Sequence, residues 1–85
     1  MNYSVYWTPE AEDGLADVWL AAADRTAVTE ASDRIDQQLA RSPFACGVRR
    51  DASVNRTLVD SPVGVDYEII EDDKKVRVLR VWTAP

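Results

Sequence analysis

The chain is 85 residues long, 46% hydrophobic and 29% charged, with a net charge of −5, no histidine and one cysteine. This length suits a single domain, residues 1–85, and the composition is that of a globular chain and not a disordered one. Its apolar runs fall far short of the roughly 20 residues a membrane helix needs, and the negative balance argues against broad, phosphate-driven nucleic-acid binding. The opening Met1-Asn2-Tyr3-Ser4-Val5-Tyr6-Trp7 has no basic start, so no signal peptide is expected. A lone Cys46 suits a reducing cytoplasm.

In chain order, Tyr3, Val5 and Trp7 alternate with Ser4 and Tyr6, the period-two pattern of a strand. Thr8-Pro9-Glu10 then predicts a helix start: a threonine that can cap, a proline for the first helical position, and acids for the positive end of the dipole. Ala11, Leu15, Val18, Trp19 and Ala22 share one face of that helix. Gly14 within it costs about 1 kcal/mol relative to alanine, which tertiary contacts must offset. Asp24-Arg25-Thr26 reads as a tight turn with Asp24 or Thr26 capping a second helix, whose stripe is Val28, Ala31, Ile35 and Leu39 and which Pro43 ends. Helices joined by so short a link are antiparallel neighbours. From Ser42 to Ser53 no period holds, and an irregular connection is expected. Val54 to Val59 is the weakest strand candidate. Val63, Val65, Tyr67 and Ile69 alternate cleanly, Glu71-Asp72-Asp73-Lys74 forms a polar hairpin tip, and Val76 to Trp82 is the last strand. The fold class is therefore α+β, in the order β-α-α-β-β-β, with a helical hairpin on one face of a small antiparallel-rich sheet. Leu15, Val18, Trp19, Ile35, Leu39, Tyr67, Leu79 and Val81 are expected to meet in its core, with Trp19→Ala costing about 3–5 kcal/mol.

Several chemistries lack their parts. Without histidine the commonest acid–base group and metal ligand is gone. One cysteine without it makes neither a thiol protease nor a zinc site, and three scattered glycines make no phosphate loop. No metal and no cofactor is expected. The charge itself is uneven: residues 1–40 hold eight acids and two bases, while Arg41, Arg49, Arg50 and Arg56 face only Asp51 within 41–58. On the last strand strict alternation puts Val76, Val78, Arg80 and Trp82 on one face and Arg77, Leu79 and Val81 on the other. With Leu79 and Val81 toward the helices, Arg80 and Trp82 lie on the open face. Arginine beside an exposed indole is a composition found in binding hot spots. Partner contact is therefore expected at Arg80 and Trp82, with Arg49, Arg50 and Arg56 approaching from the preceding segment; alanine at Arg80 or Trp82 should weaken binding and leave folding largely intact. The competing reading folds Trp82 over the sheet and pairs the arginines with Asp51, Asp66 or Glu68.

The ordered set of Val5-Tyr6-Trp7, Thr8-Pro9-Glu10-Ala11-Glu12-Asp13-Gly14-Leu15, Ile35, Leu39, Ser42-Pro43, Arg56-Thr57-Leu58, Tyr67-Glu68-Ile69 and Val76-Arg77-Val78-Leu79-Arg80-Val81 resembles the RelE/ParE superfamily of toxins from type II toxin–antitoxin systems, over essentially the whole chain. The resemblance implies a cytoplasmic toxin-like protein of the plasmid-stabilisation type, bound by a cognate antitoxin protein and directed at gyrase or the ribosome. One branch of the family cleaves mRNA on the ribosome. It typically carries an arginine where this chain has Gly64, and basic or aromatic groups where this chain has Thr83-Ala84-Pro85; only Arg56 matches its basic positions in the second strand. Scission without such cations lacks stabilisation of the pentavalent phosphate. The expected function is thus a toxin-like subunit acting by protein binding. Two alternatives stand beside it: an mRNA endonuclease with a rearranged arginine site using Arg56 and Arg80 as catalytic groups, and a non-toxic binding module.

Overall fold

The computed structural model describes residues 2–49 and 55–85. Strand β1 (Ser4–Trp7) leads into helices α1 (Pro9–Ala21), α2 (Arg25–Arg41) and the single turn α3 (Pro43–Cys46); β2 (Val48–Arg49), β3 (Arg56–Asp60), β4 (Val63–Ile70) and β5 (Lys75–Thr83) follow. The strands form one sheet in the order β1-β5-β4-β3-β2. β1 runs parallel to β5, and every other neighbouring pair is antiparallel.

The helix starts follow from their caps. Thr8 Oγ1 accepts the Ala11 amide at 3.1 Å and donates to the Val78 carbonyl at 2.9 Å, so one hydroxyl both opens α1 and fastens it to β5. Asp24, and not Thr26, caps α2, accepting the Ala27 amide at 3.0 Å. Gly14 marks where α1 lies on β5: a Cβ there would stand 2.7 Å from the Val81 carbonyl oxygen. Its propensity cost is thus the condition for close helix–sheet contact.

Ala11, Val18, Val28, Ala31, Ile35 and Leu39 from the helices meet Leu58, Val63, Val65, Tyr67, Val76 and Val78 from the sheet in one buried cluster. Leu15 and Val81 pack against it. Two expected core members do not. Trp19 is 39% exposed, with the Arg25 guanidinium 4.6 Å from its ring centre, so its truncation removes much less buried surface than a core tryptophan's would. Leu79 is half-buried because it is the extra residue of a β-bulge: Asp66 faces Arg80 while the next residue, Tyr67, faces Val78. That bulge also corrects the expected faces of β5. Val76 and Val78 point to the helices, as Val81 does, and only beyond Leu79 do Arg80 and Trp82 take the open side. The stretch expected to be irregular contains α3 and the two-residue β2, elements too short to show a period. The weak strand begins at Arg56, and its expected start at Val54 lies outside the described residues.

Candidate functional site

The open face of β4 and β5 carries a charge in an unusual setting. Asp66 points away from the helices, yet it is only 3% exposed. Thr57 Oγ1, opposite it on β3, donates to Asp66 Oδ1 at 2.7 Å, and Arg80 Nη2, opposite it on β5, donates to Oδ2 at 2.9 Å. Along the same ladder Arg77 forms an ion pair with Glu68. Each β5 arginine is therefore answered by a β4 carboxylate directly across the strand pair, the arrangement in which opposite charges attract best on a sheet.

Trp82 completes the cover. Its register partner is Gly64, and a Cβ on Gly64 would lie 2.6 Å from indole Cε2, so the ring rests on bare backbone. Thr57, Asp66, Arg80, Val81 and Trp82 line a shallow depression of about 480 Å³. It offers a stacking wall, a guanidinium whose side chain is 62% exposed, and a carboxylate floor already engaged by protein donors.

The other arginines expected here are elsewhere. Arg56 faces Tyr67 across β3 and β4, which puts it on the helix side of the sheet. There its Nη1 donates to the carbonyls of Phe44 at 3.3 Å and Gly47 at 3.4 Å, and its guanidinium lies 5.5 Å from the centre of the Phe44 ring. Arg49 is the cross-strand partner of Arg56 and shares that side; Arg50 lies outside the described residues. The structure thus joins Arg80 to Trp82 and Arg49 to Arg56, on opposite faces of the sheet. The physical reason is parity: Arg56 is an even number of residues from Leu58, which points into the core. Of the carboxylates named as competing arginine partners, Asp66 and Glu68 hold Arg80 and Arg77, and Asp51 lies outside the described residues. Thr57 and Phe44 went unread in the sequence. Thr57 could have been found by asking which residue faces Asp66 once β3 and β4 are set in register.

Beneath the helix side, the Tyr67 hydroxyl donates to the Pro43 carbonyl at 2.7 Å and lies 3.9 Å from Cys46 Sγ. Burial, with the neighbouring thiol, pushes the Tyr67 phenol well above its usual range. Burial likewise raises the Cys46 thiol, against a lowering by its hydrogen bond to Tyr67. Both groups are protonated at neutral pH, which suits anchoring of α3 and not nucleophilic chemistry. A Cβ at Gly47 would overlap the Tyr67 hydroxyl, so this glycine makes room for the anchor. Among the described residues no group of three metal-ligating side chains occurs, and no helix is long and apolar enough to cross a membrane.

No protein-family model matches the sequence, nor does any curated protein. Solved structures do match its architecture. A chain of the RelBE2 toxin–antitoxin complex from Mycobacterium tuberculosis superposes with a TM-score of 0.79 at 20% identity, over 98% of this chain and 92% of that one. A chain of the chromosomal ParDE system from P. aeruginosa gives 0.70 at 18% identity, over 98% and 97%. The isolated E. coli RelE toxin gives 0.67 at 15% identity, over 98% and 85%. The chain has the RelE/ParE fold. Within that fold the helical hairpin covers one side of the sheet, and the Asp66–Arg80–Trp82 cluster stands on the opposite side, which none of the described helices covers.

Proposed function

We propose that the chain is the toxin-like component of a cytoplasmic type II toxin–antitoxin pair, acting by protein binding and neutralised by an antitoxin protein. The observation that carries this reading is the RelE/ParE fold kept over 98% of the chain against a chain of the RelBE2 toxin–antitoxin complex. Contact with a protein partner is assigned to Arg80 and Trp82, which lie side by side on the open face and combine a charge-assisted donor with an aromatic surface. Arg49, Arg50 and Arg56 belong to the same proposal as further partner contacts, with Arg49 and Arg56 reached from the other face of the sheet.

Action without ribonuclease chemistry is supported by two features of the sheet. Arg56 and Arg80 lie on opposite faces, so they cannot flank one phosphate. At Gly64, where the ribonuclease branch typically carries an arginine, the indole of Trp82 rests on the backbone instead. Gyrase and the ribosome are the candidate targets.

The test is induced expression in a bacterial host with and without the neighbouring reading frame, followed by primer extension on translated messages. Growth arrest relieved by the neighbour, without site-specific cuts, is the expected result. Cuts that disappear in an Arg56→Ala or Arg80→Ala variant would establish the endonuclease instead, and unimpaired growth would make the chain a non-toxic binding module.

A further inference from the structure

The C-terminal half of α2 presents polar side chains that the fold itself does not use. Gln37, Gln38 and Arg41 stand three, four and seven residues beyond Arg34, which sets the four along one stripe of the helix. With Ser42, which closes α2, and Cys46, which ends α3, they line a recess of about 210 Å³. Among the described residues the side chains of Gln37, Gln38, Arg41 and Ser42 form no hydrogen bond or ion pair. Arg34 spends Nε and Nη2 on Asp60 and keeps Nη1. The recess thus gathers the whole fork of Arg41, one further guanidinium nitrogen, two amides and a hydroxyl around a thiol.

The charges that face it can be named from every side. Asp60 answers Arg34, and Glu30, one turn earlier on α2, adds to that attraction. Asp33 and Asp36 turn toward β1, where they line a separate depression with Val5, Tyr6 and Trp7, and Asp36 accepts the Trp7 indole proton at 2.8 Å. The acidic tip Glu71-Asp72-Asp73 borders the same β1 side, with Glu71 held by Lys74 and Tyr3. The carbonyl end of the α2 dipole disfavours an anion, and Arg41 in the last turn offsets it. From the strand side Arg56 adds a positive charge, since it holds the carbonyl of Gly47, next to Cys46. Asp51 lies outside the described residues. Arg41 remains a cation that no described carboxylate answers.

We propose that this recess at the α2–α3 junction is a binding site for the phosphoryl group of a small molecule, either inorganic phosphate or a phosphomonoester. It is separate from the protein contacts placed on the sheet and does not depend on them. Donor geometry selects the ligand. Arg34 has given its fork to Asp60, so only Arg41 offers two parallel donors, and the remaining donors come singly from the rest of the rim. A planar carboxylate would use the Arg41 fork and leave them idle, whereas a tetrahedral oxyanion has oxygens for several directions at once. Size sets the limit: about 210 Å³ is less than the roughly 300–1,000 Å³ of pockets that enclose drug-sized molecules, so the recess takes a phosphoryl head and a few further atoms.

The test is an NMR titration of the isotope-labelled intact protein at constant ionic strength, with inorganic phosphate, glycerol phosphate and acetate as probes. The side-chain amides of Gln37 and Gln38 and the backbone amide of Ser42 should shift saturably with phosphate, and acetate should bind at least about fivefold more weakly. Arg41→Gln should weaken phosphate binding at least about fivefold, and Gln37→Ala by a smaller factor. Arg77→Gln removes the same charge from the open face and should change nothing; circular dichroism verifies each fold. Phosphate should also slow alkylation of Cys46 by iodoacetamide in the wild type but not in Arg41→Gln, which locates the ligand over the thiol. Tighter binding of glycerol phosphate than of inorganic phosphate assigns the site to phosphomonoesters, and the reverse assigns it to the free ion. Should Arg41→Gln fail to fold, Gln37→Ala and the Cys46 protection carry the test. Shifts that do not saturate, equal binding of acetate, or unchanged affinity in Arg41→Gln overturns the proposal. An equal loss in Arg77→Gln, which would mark a general response to net charge, overturns it as well.

Discussion

Strand β4 is buried on both of its faces, but by different means. Inward, Val63, Val65 and Tyr67 lie wholly beneath the helical hairpin. Outward, Gly64 and Asp66 are just as hidden although none of the described helices lies above them; Trp82 and Arg80, reaching from the neighbouring strand, cover them instead. The comparison separates two kinds of burial. The inner side excludes water with apolar volume that only unfolding exposes. The outer side excludes it with one indole and one ion pair, which a partner can rearrange at much lower cost. It follows that function is more easily placed on the outer cover than on the core it protects.

The inner side should break hardest. Tyr67→Ala deletes a fully buried ring and its hydrogen bond to the Pro43 carbonyl, and should cost about 3–5 kcal/mol, a large share of the stability of a domain this small. Tyr67→Phe keeps the ring and should cost about 1–2 kcal/mol through the carbonyl left without its donor. The phenylalanine variant also tests the raised phenol. In the folded chain the Tyr67 pKa lies above its ordinary value of 10.0, so above that pH the unfolded chain has released a proton the folded one retains, and stability falls as pH rises. Urea midpoints from pH 8 upward should decline less steeply in Tyr67→Phe than in the wild type. Parallel curves would mean that this phenol does not set the alkaline limit.

The outer side should break less, and asymmetrically. Arg80→Ala takes the cation at 2.9 Å from a carboxylate that is 3% exposed, and should cost about 1–3 kcal/mol. Asp66→Asn keeps an acceptor for Thr57 and leaves Arg80, whose side chain is 62% exposed, to be hydrated, so it should cost less. Equilibrium denaturation of the two variants settles the order; a costlier Asp66→Asn would show that the buried charge is not what Arg80 serves. Arg80→Ala is thus expected to keep the fold largely intact but at a cost in stability. A binding loss in that variant has to be measured beside Arg80→Lys, which keeps a cation for Asp66.

This contrast marks how far the sequence could be read. Elements whose apolar residues repeat over several turns or strand steps were legible: the Val28–Ala31–Ile35–Leu39 stripe, the alternation from Val63 to Ile69, and the Thr8-Pro9 helix start all match the structure. The order of elements followed from them, and the resemblance to RelE/ParE toxins implied the fold that the solved structures share. What a pattern cannot carry is a break in its own period. The bulge at Leu79 shifts half of β5 by one face, so strict alternation grouped Val76 and Val78 with Arg80 and Trp82, which they do not join. The same limit governed the site. Arg80 and Trp82 were legible because they sit two apart on one strand, whereas the side on which Arg56 lies depends on the register of β3 against β4, a fact of pairing between strands. Trp19 was misread for another reason: it keeps helical spacing but stands at the rim of the hairpin, where Arg25 covers it and the sheet does not.

The smallest expected effect sharpens the comparison at the margin between the two sides, where α2 meets the end of β3. Arg34 Nε donates to Asp60 Oδ2 at 2.8 Å and Nη2 to Oδ1 at 2.9 Å, and that bidentate contact holds the Asp60 carboxyl below its ordinary value of 3.8, against a smaller opposing effect of burial. The sign follows from the depressed folded value. Asp60 contributes its full stabilisation at every pH above 3.8, where both folded and unfolded chains are ionised. As pH falls below 3.8 the unfolded chain takes up a proton that the folded one refuses, and the contribution disappears through the depressed folded pKa. Arg34→Gln removes the cause of the shift, so the variant should lose a small contribution, modest because the Arg34 side chain is 51% exposed, at every pH above 3.8, and its denaturant midpoints should converge with those of the wild type as pH falls through the depressed folded value. Raising the salt concentration should narrow the gap between the two curves, as it does for exposed charges. Superimposable curves at low salt would remove this pair from the pH dependence of stability.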